Sequence, residues 1–168
     1  MSDEHEPAVQ NPGWYEFVNI MDLVNLSGIK GSDANGYSPY CAGTQLDLLA
    51  DVLPAVEWIV REMDDDYSGD WYAVFIHEGR WYLLNGCFGS CSGCDDLEGT
   101  SPIEWIENNV KNVRVFTSCS AATRWLAEDD EWTWTGIRET VIDKMLGFKC
   151  DPLTGFSRAA RQGVKEKI

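Results

Sequence analysis

Basic residues are scarce in this sequence, whose 168 residues include 13 Lys and Arg against 28 Asp and Glu, a formal net charge of −15. Nucleic-acid phosphates attract positive charge, so this composition argues against direct nucleic-acid binding and disfavours anionic membranes. The imbalance is uneven, because residues 1–110 contain 20 acidic and 3 basic residues whereas residues 111–168 contain 8 and 10. A basic protein surface is the expected partner, and the alternative is an acidic surface that serves only solubility or adaptation to high salt.

Long apolar runs are absent as well, since no stretch reaches the about 18 apolar residues that suggest a membrane-spanning helix. The first residues, MSDEHEPAVQNPG, are acidic and lack the basic and then apolar order of a secretion signal. We therefore expect a cytoplasmic protein without a membrane segment. In that reducing compartment the six cysteines are expected to be thiols or metal ligands rather than disulfides.

The length and the 44% hydrophobic content predict one well-packed domain. Residues 1–13 contain two prolines and predict a flexible acidic arm, and residues 149–168 predict a basic, weakly structured tail. Between them, residues 14–148 are expected to form a single α+β domain.

Apolar periodicity predicts two helices in the first part of the chain. Residues 14–26, WYEFVNIMDLVNL, place four apolar residues on one side of a short helix: Trp14, Phe17, Ile20 or Met21, and Val24. A stronger stripe with steps of three and four predicts a core helix over residues 44–63 that buries Leu46, Leu49, Leu53, Val56, Val60 and Met63. Pro54 is expected to kink this helix or to mark a restart.

Aromatic and β-branched residues on both sides of Glu78-Gly79 predict an antiparallel hairpin, WYAVFIH-EG-RWYLLNG, over residues 71–86. The sequence leaves two registers open. A two-residue turn pairs His77 with Arg80, whereas a three-residue loop pairs Ile76 with Arg80. In the first register the residues that share a face are Tyr72, Val74, Ile76, Trp81 and Leu83.

Later segments predict more helices and a strand. Ser101, Pro102 and Glu104 form a capping box that begins a helix. NVRVFT, residues 112–117, predicts a strand, and the helix after it is expected to begin at Ser118 or Ser120 and to bury Ala122, Trp125 and Leu126. A last helix is expected over residues 137–146, IRETVIDKML, and is expected to end at Gly147. The predicted fold is α+β, with an aromatic-rich hairpin and at least one further strand packed against four or five helices.

The segment NGCFGSCSGCDD, residues 85–96, has the pattern C-x3-C-x2-C. Its glycines allow backbone conformations in which three thiolates converge on one ion. We therefore predict either no cofactor or one structural zinc, whose expected ligands are Cys87, Cys91, Cys94 and Cys119. Cys41 or Cys150 is the alternative fourth ligand. The second C-x2-C pair that most structural zinc sites contain is missing.

The same spacing resembles the three-cysteine signature of radical S-adenosylmethionine enzymes, in which it implies a [4Fe-4S] cluster, here on Cys87, Cys91 and Cys94. That family builds its site on a barrel of alternating strands and helices. The likeness covers eight residues, and the elements predicted here do not alternate in that order, so we do not assign the chain to the family. A small iron–sulfur protein stays open beside a zinc protein.

Few residues suit catalysis. The two histidines are His5 and His77, and no Ser-His-Asp pattern, phosphate loop or H-E-x-x-H motif is present. The carboxylates of Asp95 and Asp96, directly after Cys94, disfavour the thiolate form that a nucleophile needs. We name no catalytic residue, and an enzyme with an acidic, cation-dependent pocket is the second alternative.

The preferred hypothesis is a non-enzymatic acidic binding protein that docks a basic surface. It would act as an inhibitor or regulator of a nucleic-acid-binding protein by imitating the charge density of DNA. The candidate partner-binding residues are Asp47, Asp51, Glu62, Asp64, Asp65, Asp66, Trp71, Asp95, Asp96, Glu98, Glu104 and Glu107.

Overall fold

The computed structural model describes residues 15–30, 44–64, 68–88, 100–128 and 137–149. These residues form a five-stranded antiparallel sheet and four α-helices, which confirms the α+β class. The elements are β1 (Tyr15–Val18), 3-10 turns at Met21–Leu23 and Leu26–Gly28, α1 (Thr44–Val52), β2 (Glu57–Met63), β3 (Gly69–His77), β4 (Arg80–Phe88), α2 (Pro102–Asn109), β5 (Val113–Phe116), α3 (Cys119–Glu128) and α4 (Ile137–Lys149). The predicted arm, and the tail beyond Lys149, lie outside the described residues.

The sheet has the strand order β1-β5-β4-β3-β2, with every neighbouring pair antiparallel. Strands β2 to β5 are adjacent in chain order, and α2 is inserted between β4 and β5. Strand β1 adds to the outer side of β5, with Phe17 opposite Arg114. Tyr15–Val18 therefore forms one edge of the sheet.

The hairpin β3–β4 is confirmed, and it adopts the two-residue turn because His77 pairs with Arg80. Glu78 and Gly79 have φ values of 49° and 74°, as expected when both central residues of a hairpin turn are left-handed. This register places Tyr72, Val74, Trp81 and Leu83 in one buried cluster. It corresponds to the first of the two registers that the sequence left open.

Both faces of the sheet are covered, because side chains alternate between two separate cores. On one face Ala73, Phe75 and Tyr82 pack with the apolar residues of α1 and α2. On the opposite face Val74, Leu83 and Phe116 pack with those of α3 and α4. The two helix pairs therefore lie on opposite sides of the sheet. This division determines on which side of the sheet the charged residues of each helix lie.

The predicted helix over residues 44–63 is wrong in its second half. Helix α1 ends at Val52, and the chain continues as strand β2, which pairs with β3. Pro54 has no N–H for a helical bond, and Trp58, Ile59 and Val60 favour a strand. Pairing with β3 supplies the backbone partners that a helix would have supplied internally.

The helix predicted over residues 14–26 is also wrong, since the described part from Tyr15 onward is β1 followed by the two 3-10 turns. Pairing with β5 fixes Tyr15–Val18 as a strand. After it, the side chain of Asn19 accepts a hydrogen bond from the Met21 backbone N–H at 2.9 Å, which favours a turn over a helix.

The other helix predictions agree with the structure. Ser101 accepts a hydrogen bond from the Glu104 N–H at 3.2 Å and caps α2. Ser118 accepts one from the Ala121 N–H at 3.1 Å ahead of α3, whose buried residues include Ala122, Trp125 and Leu126. Helix α4 passes through Gly147 and extends to Lys149, two residues beyond the predicted end.

Candidate functional site

Helix α1 separates apolar and acidic residues onto opposite sides. Leu48, Leu49 and Val52 are fully buried against the sheet, whereas Asp47 is exposed. Asp51 is 19% exposed and forms an ion pair with Lys30, with Nζ and Oδ1 3.2 Å apart. The outer side of α1 therefore presents one unshared carboxylate group, that of Asp47, and a second one close to a lysine.

Helix α2 shows the same separation on the same side of the sheet. Trp105 and Ile106 are buried in the core that α1 shares, whereas Glu104 and Glu107 are exposed. Glu104 lies in the first turn, where a carboxylate is stabilised by the positive end of the helix dipole. Ile103, 48% exposed, lies beside it on the surface.

The helices on the opposite side of the sheet have mixed charges. In α3, Arg124 Nε lies 2.9 Å from Glu128 Oε1, and from α4 the ammonium group of Lys144 reaches Glu62 on β2. The sequences of α3 and α4 together contain Glu128, Glu139 and Asp143 against Arg124, Arg138, Lys144 and Lys149. By contrast, α1 and α2 contain Asp47, Asp51, Glu104 and Glu107 and no basic residue. We call the outer surface formed by these four carboxylates the acidic layer.

The structure brings together only part of the predicted partner-binding set. Glu62 is engaged by Lys144 on the mixed side, and Asp64 accepts a hydrogen bond from the Asp70 N–H at 2.7 Å. Trp71 is 3% exposed and packs in the core against Trp105, with ring centroids 6.1 Å apart, so its ring is not available as a surface anchor. The remaining predicted residues, Asp65, Asp66, Asp95, Asp96 and Glu98, lie outside the described part of the chain.

Two of the predicted zinc ligands are described. Cys87 lies near the end of β4 opposite Asp70, and Cys119 begins α3, where its Sγ donates to the Met145 carbonyl at 3.7 Å. Cys91 and Cys94 lie outside the described residues. Within the described ranges no group of three or more His, Cys, Asp or Glu side chains is placed to hold a metal ion. The zinc site stays a prediction.

A further cluster, missed by the sequence analysis, surrounds Arg114 on β5. Its guanidinium carbon lies 4.4 Å from the ring centroid of Trp125 and 5.3 Å from that of Phe17. Arg114 Nη1 also donates to Asn85 Oδ1 at 3.1 Å. The sequence pattern of residues 112–117 predicted the strand that contains Arg114. The residues beside Arg114 follow from the pairing of β1, β5 and β4, which no local sequence signal specifies.

Comparison of the chain with protein-family models, with curated protein sequences and with solved structures found no match. In the described part of the chain, no helix combines the length and the apolar character needed to cross a membrane.

Proposed function

We propose that this chain is a non-enzymatic acidic binding protein whose acidic layer docks a basic protein surface. The observation that carries the proposal is the unequal division of charge across the sheet. Helices α1 and α2 contain four acidic and no basic residues, whereas α3 and α4 contain both signs. A surface of one sign attracts and orients a partner of the opposite sign, whereas a mixed surface does so weakly.

The partner that fits this chemistry best is a protein that binds nucleic acid. Such a protein presents a basic cleft to the phosphates of DNA, which carry about one charge per 1.7 Å of duplex. A folded acidic protein that occupies the cleft blocks the nucleic acid, so the proposed role is inhibition or regulation. The proposal places the encounter in the cytoplasm, where the six cysteines are expected to stay reduced.

Two triple variants with the same net charge test the proposal. The acidic-layer variant carries Asp47→Asn, Glu104→Gln and Glu107→Gln, and the control carries Glu128→Gln, Glu139→Gln and Asp143→Asn on the opposite side. Affinity capture at low salt, followed by titration with each captured protein after its purification, should identify a basic partner. We expect the acidic-layer variant to bind it roughly tenfold or more weakly than the control, the loss that about 1.4 kcal/mol produces.

Circular dichroism must first show that both variants are folded, since Asp47 and Glu104 also interact with helix termini. Affinity of the wild-type protein for the partner should fall steeply as salt rises. Equal losses in the two triple variants, or binding that is insensitive to salt, would contradict docking through the acidic layer.

A further inference from the structure

We propose that Arg114, Asn85 and Phe17 form a binding site for a carboxylate attached to an apolar group, on the side of the sheet opposite the acidic layer. The three residues belong to β5, β4 and β1, and the register places Phe17 directly opposite Arg114. The site is independent of the docking proposed above, because none of its residues belongs to α1 or α2.

Among the described residues, no carboxylate forms an ion pair with Arg114. The chain has 28 acidic and 13 basic residues. In the described ranges, four other basic residues each contact a carboxylate: Lys30, Arg80, Arg124 and Lys144. No carboxylate group of these ranges lies within ion-pair distance of Arg114. A guanidinium group offers five N–H donors, and one hydrogen bond, to Asn85, is formed here. Within the described part of the chain Nε is buried without a partner, so the Nη donors that Asn85 does not use are the ones we assign to an external anion.

The guanidinium group of Arg114 is held in a fixed position by its neighbours. Trp125 is 8% exposed, so the ring that lies 4.4 Å from Arg114 belongs to the core and cannot move aside easily. Asn85 holds the group through the 3.1 Å hydrogen bond to Nη1. An arginine restrained by a ring and an amide loses little side-chain freedom when it binds a ligand, which favours affinity.

The neighbours of Arg114 indicate the chemistry of the ligand. Asn85 uses its oxygen to accept from Arg114, so its exposed amide N–H group can donate to a second ligand oxygen. Phe17 is 52% exposed and offers an apolar contact beside the charge. A planar carboxylate matches the guanidinium fork. Its single charge is also repelled less by a molecule of net charge −15 than the double charge of a phosphate monoester.

Nuclear magnetic resonance titration with N-acetylphenylalanine tests the site. We expect the signals of the Arg114 Nε–H and Trp125 indole N–H groups to shift in a saturable way. The carboxyl amide of the same compound should shift them much less, because it lacks the charge. A peptide with a C-terminal phenylalanine and 3-phenylpropionate form two further arms. Tighter binding of the peptide would identify a chain terminus as the ligand, and equal binding would identify a small free acid; both outcomes support the site.

The matched variants are Asn85→Asp and Asn108→Asp, which add the same charge at exposed positions of β4 and α2. Asn85→Asp gives Arg114 an internal carboxylate, so we expect binding at least roughly tenfold weaker than in Asn108→Asp, as for loss of a charge-assisted hydrogen bond. Arg114→Lys should bind weakly as well, because it keeps the charge and loses the fork. Unchanged binding in Asn85→Asp, equal binding of the amide, or tighter binding of phenyl phosphate would overturn the proposal.

Discussion

At residue 78 the backbone adopts a conformation that a residue with a Cβ atom disfavours. Glu78 has a φ of 49°, although residues with a Cβ atom are disfavoured in the left-handed region by about 1–2 kcal/mol. The two-residue turn requires this conformation, and asparagine followed by glycine satisfies it best. The side chain of Glu78 is 84% exposed, and its Oε1 lies 3.9 Å from Nε2 of His77. It therefore contributes little to stability that a replacement would lose.

We therefore predict that Glu78→Asn increases the free energy of unfolding by about 0.5–1 kcal/mol. Urea denaturation monitored by tryptophan fluorescence measures the change. Glu107→Asn is the control, since Glu107 is an exposed helical residue where asparagine is the poorer helix former and should cost a few tenths of a kcal/mol. Equal effects at the two positions would show that the turn conformation is not the cause.

Gly86 and Gly147 differ in what surrounds them. A Cβ atom added to Gly86 would lie 2.6 Å from Cζ2 of Trp71, the residue opposite it in the hairpin. A Cβ atom added to Gly147, within α4, would have no heavy atom within 4 Å. The first glycine is required by packing, whereas the second only weakens a helix.

Alanine substitutions should therefore have opposite effects at these two positions. We expect Gly86→Ala to lower the free energy of unfolding by about 1–3 kcal/mol, because Trp71 is buried and can yield little. Gly147→Ala should raise it by up to about 1 kcal/mol. Thermal and urea denaturation measure both, and near-ultraviolet circular dichroism should change for Gly86→Ala alone. A neutral Gly86→Ala would contradict the packing role.

At the scale of elements, segments with local start signals were predictable and segments decided by pairing were not. Ser101 and Ser118 mark the beginnings of α2 and α3 in the sequence, and the structure has both caps. The stripe from Leu46 to Met63 instead fits a helix throughout, yet Glu57–Met63 is a strand. Apolar periodicity in a short segment does not distinguish a half-buried strand from a helix when a neighbouring strand provides hydrogen bonds.

The candidate sites divide in the same way. Asp47, Asp51, Glu104 and Glu107 were named from the sequence because α1 and α2 are acidic, but their location on one side of the sheet follows from the two cores. Trp71 was named as an anchor and is buried, because its side chain on β3 faces the core that contains the apolar residues of α1. Arg114 was not named, since an arginine inside a strand gives no signal of its own.

For the whole molecule, the net charge of −15 predicts that salt stabilises the fold. Mutual repulsion of like charges weakens as the Debye length falls from about 30 Å at 0.01 M salt to about 10 Å at 0.1 M. We expect the Tm to rise with NaCl mainly between these two concentrations, a range too dilute for salt exclusion to act. Differential scanning calorimetry measures it. A Tm that stays constant up to 0.1 M and rises only near molar salt would contradict an electrostatic origin.

The sequence by itself determined the composition-dependent properties: the acidic charge, the α+β class, the hairpin and the capped helices. Each of these follows from residue types or from contacts within a few residues, which chain order specifies directly. Only the tertiary structure decided the strand order β1-β5-β4-β3-β2, the strand at Glu57–Met63 and the separation of acidic from mixed helices onto opposite sides. These features depend on which distant segments satisfy each other's backbone hydrogen bonds and apolar faces, and that is a property of the folded chain as a whole.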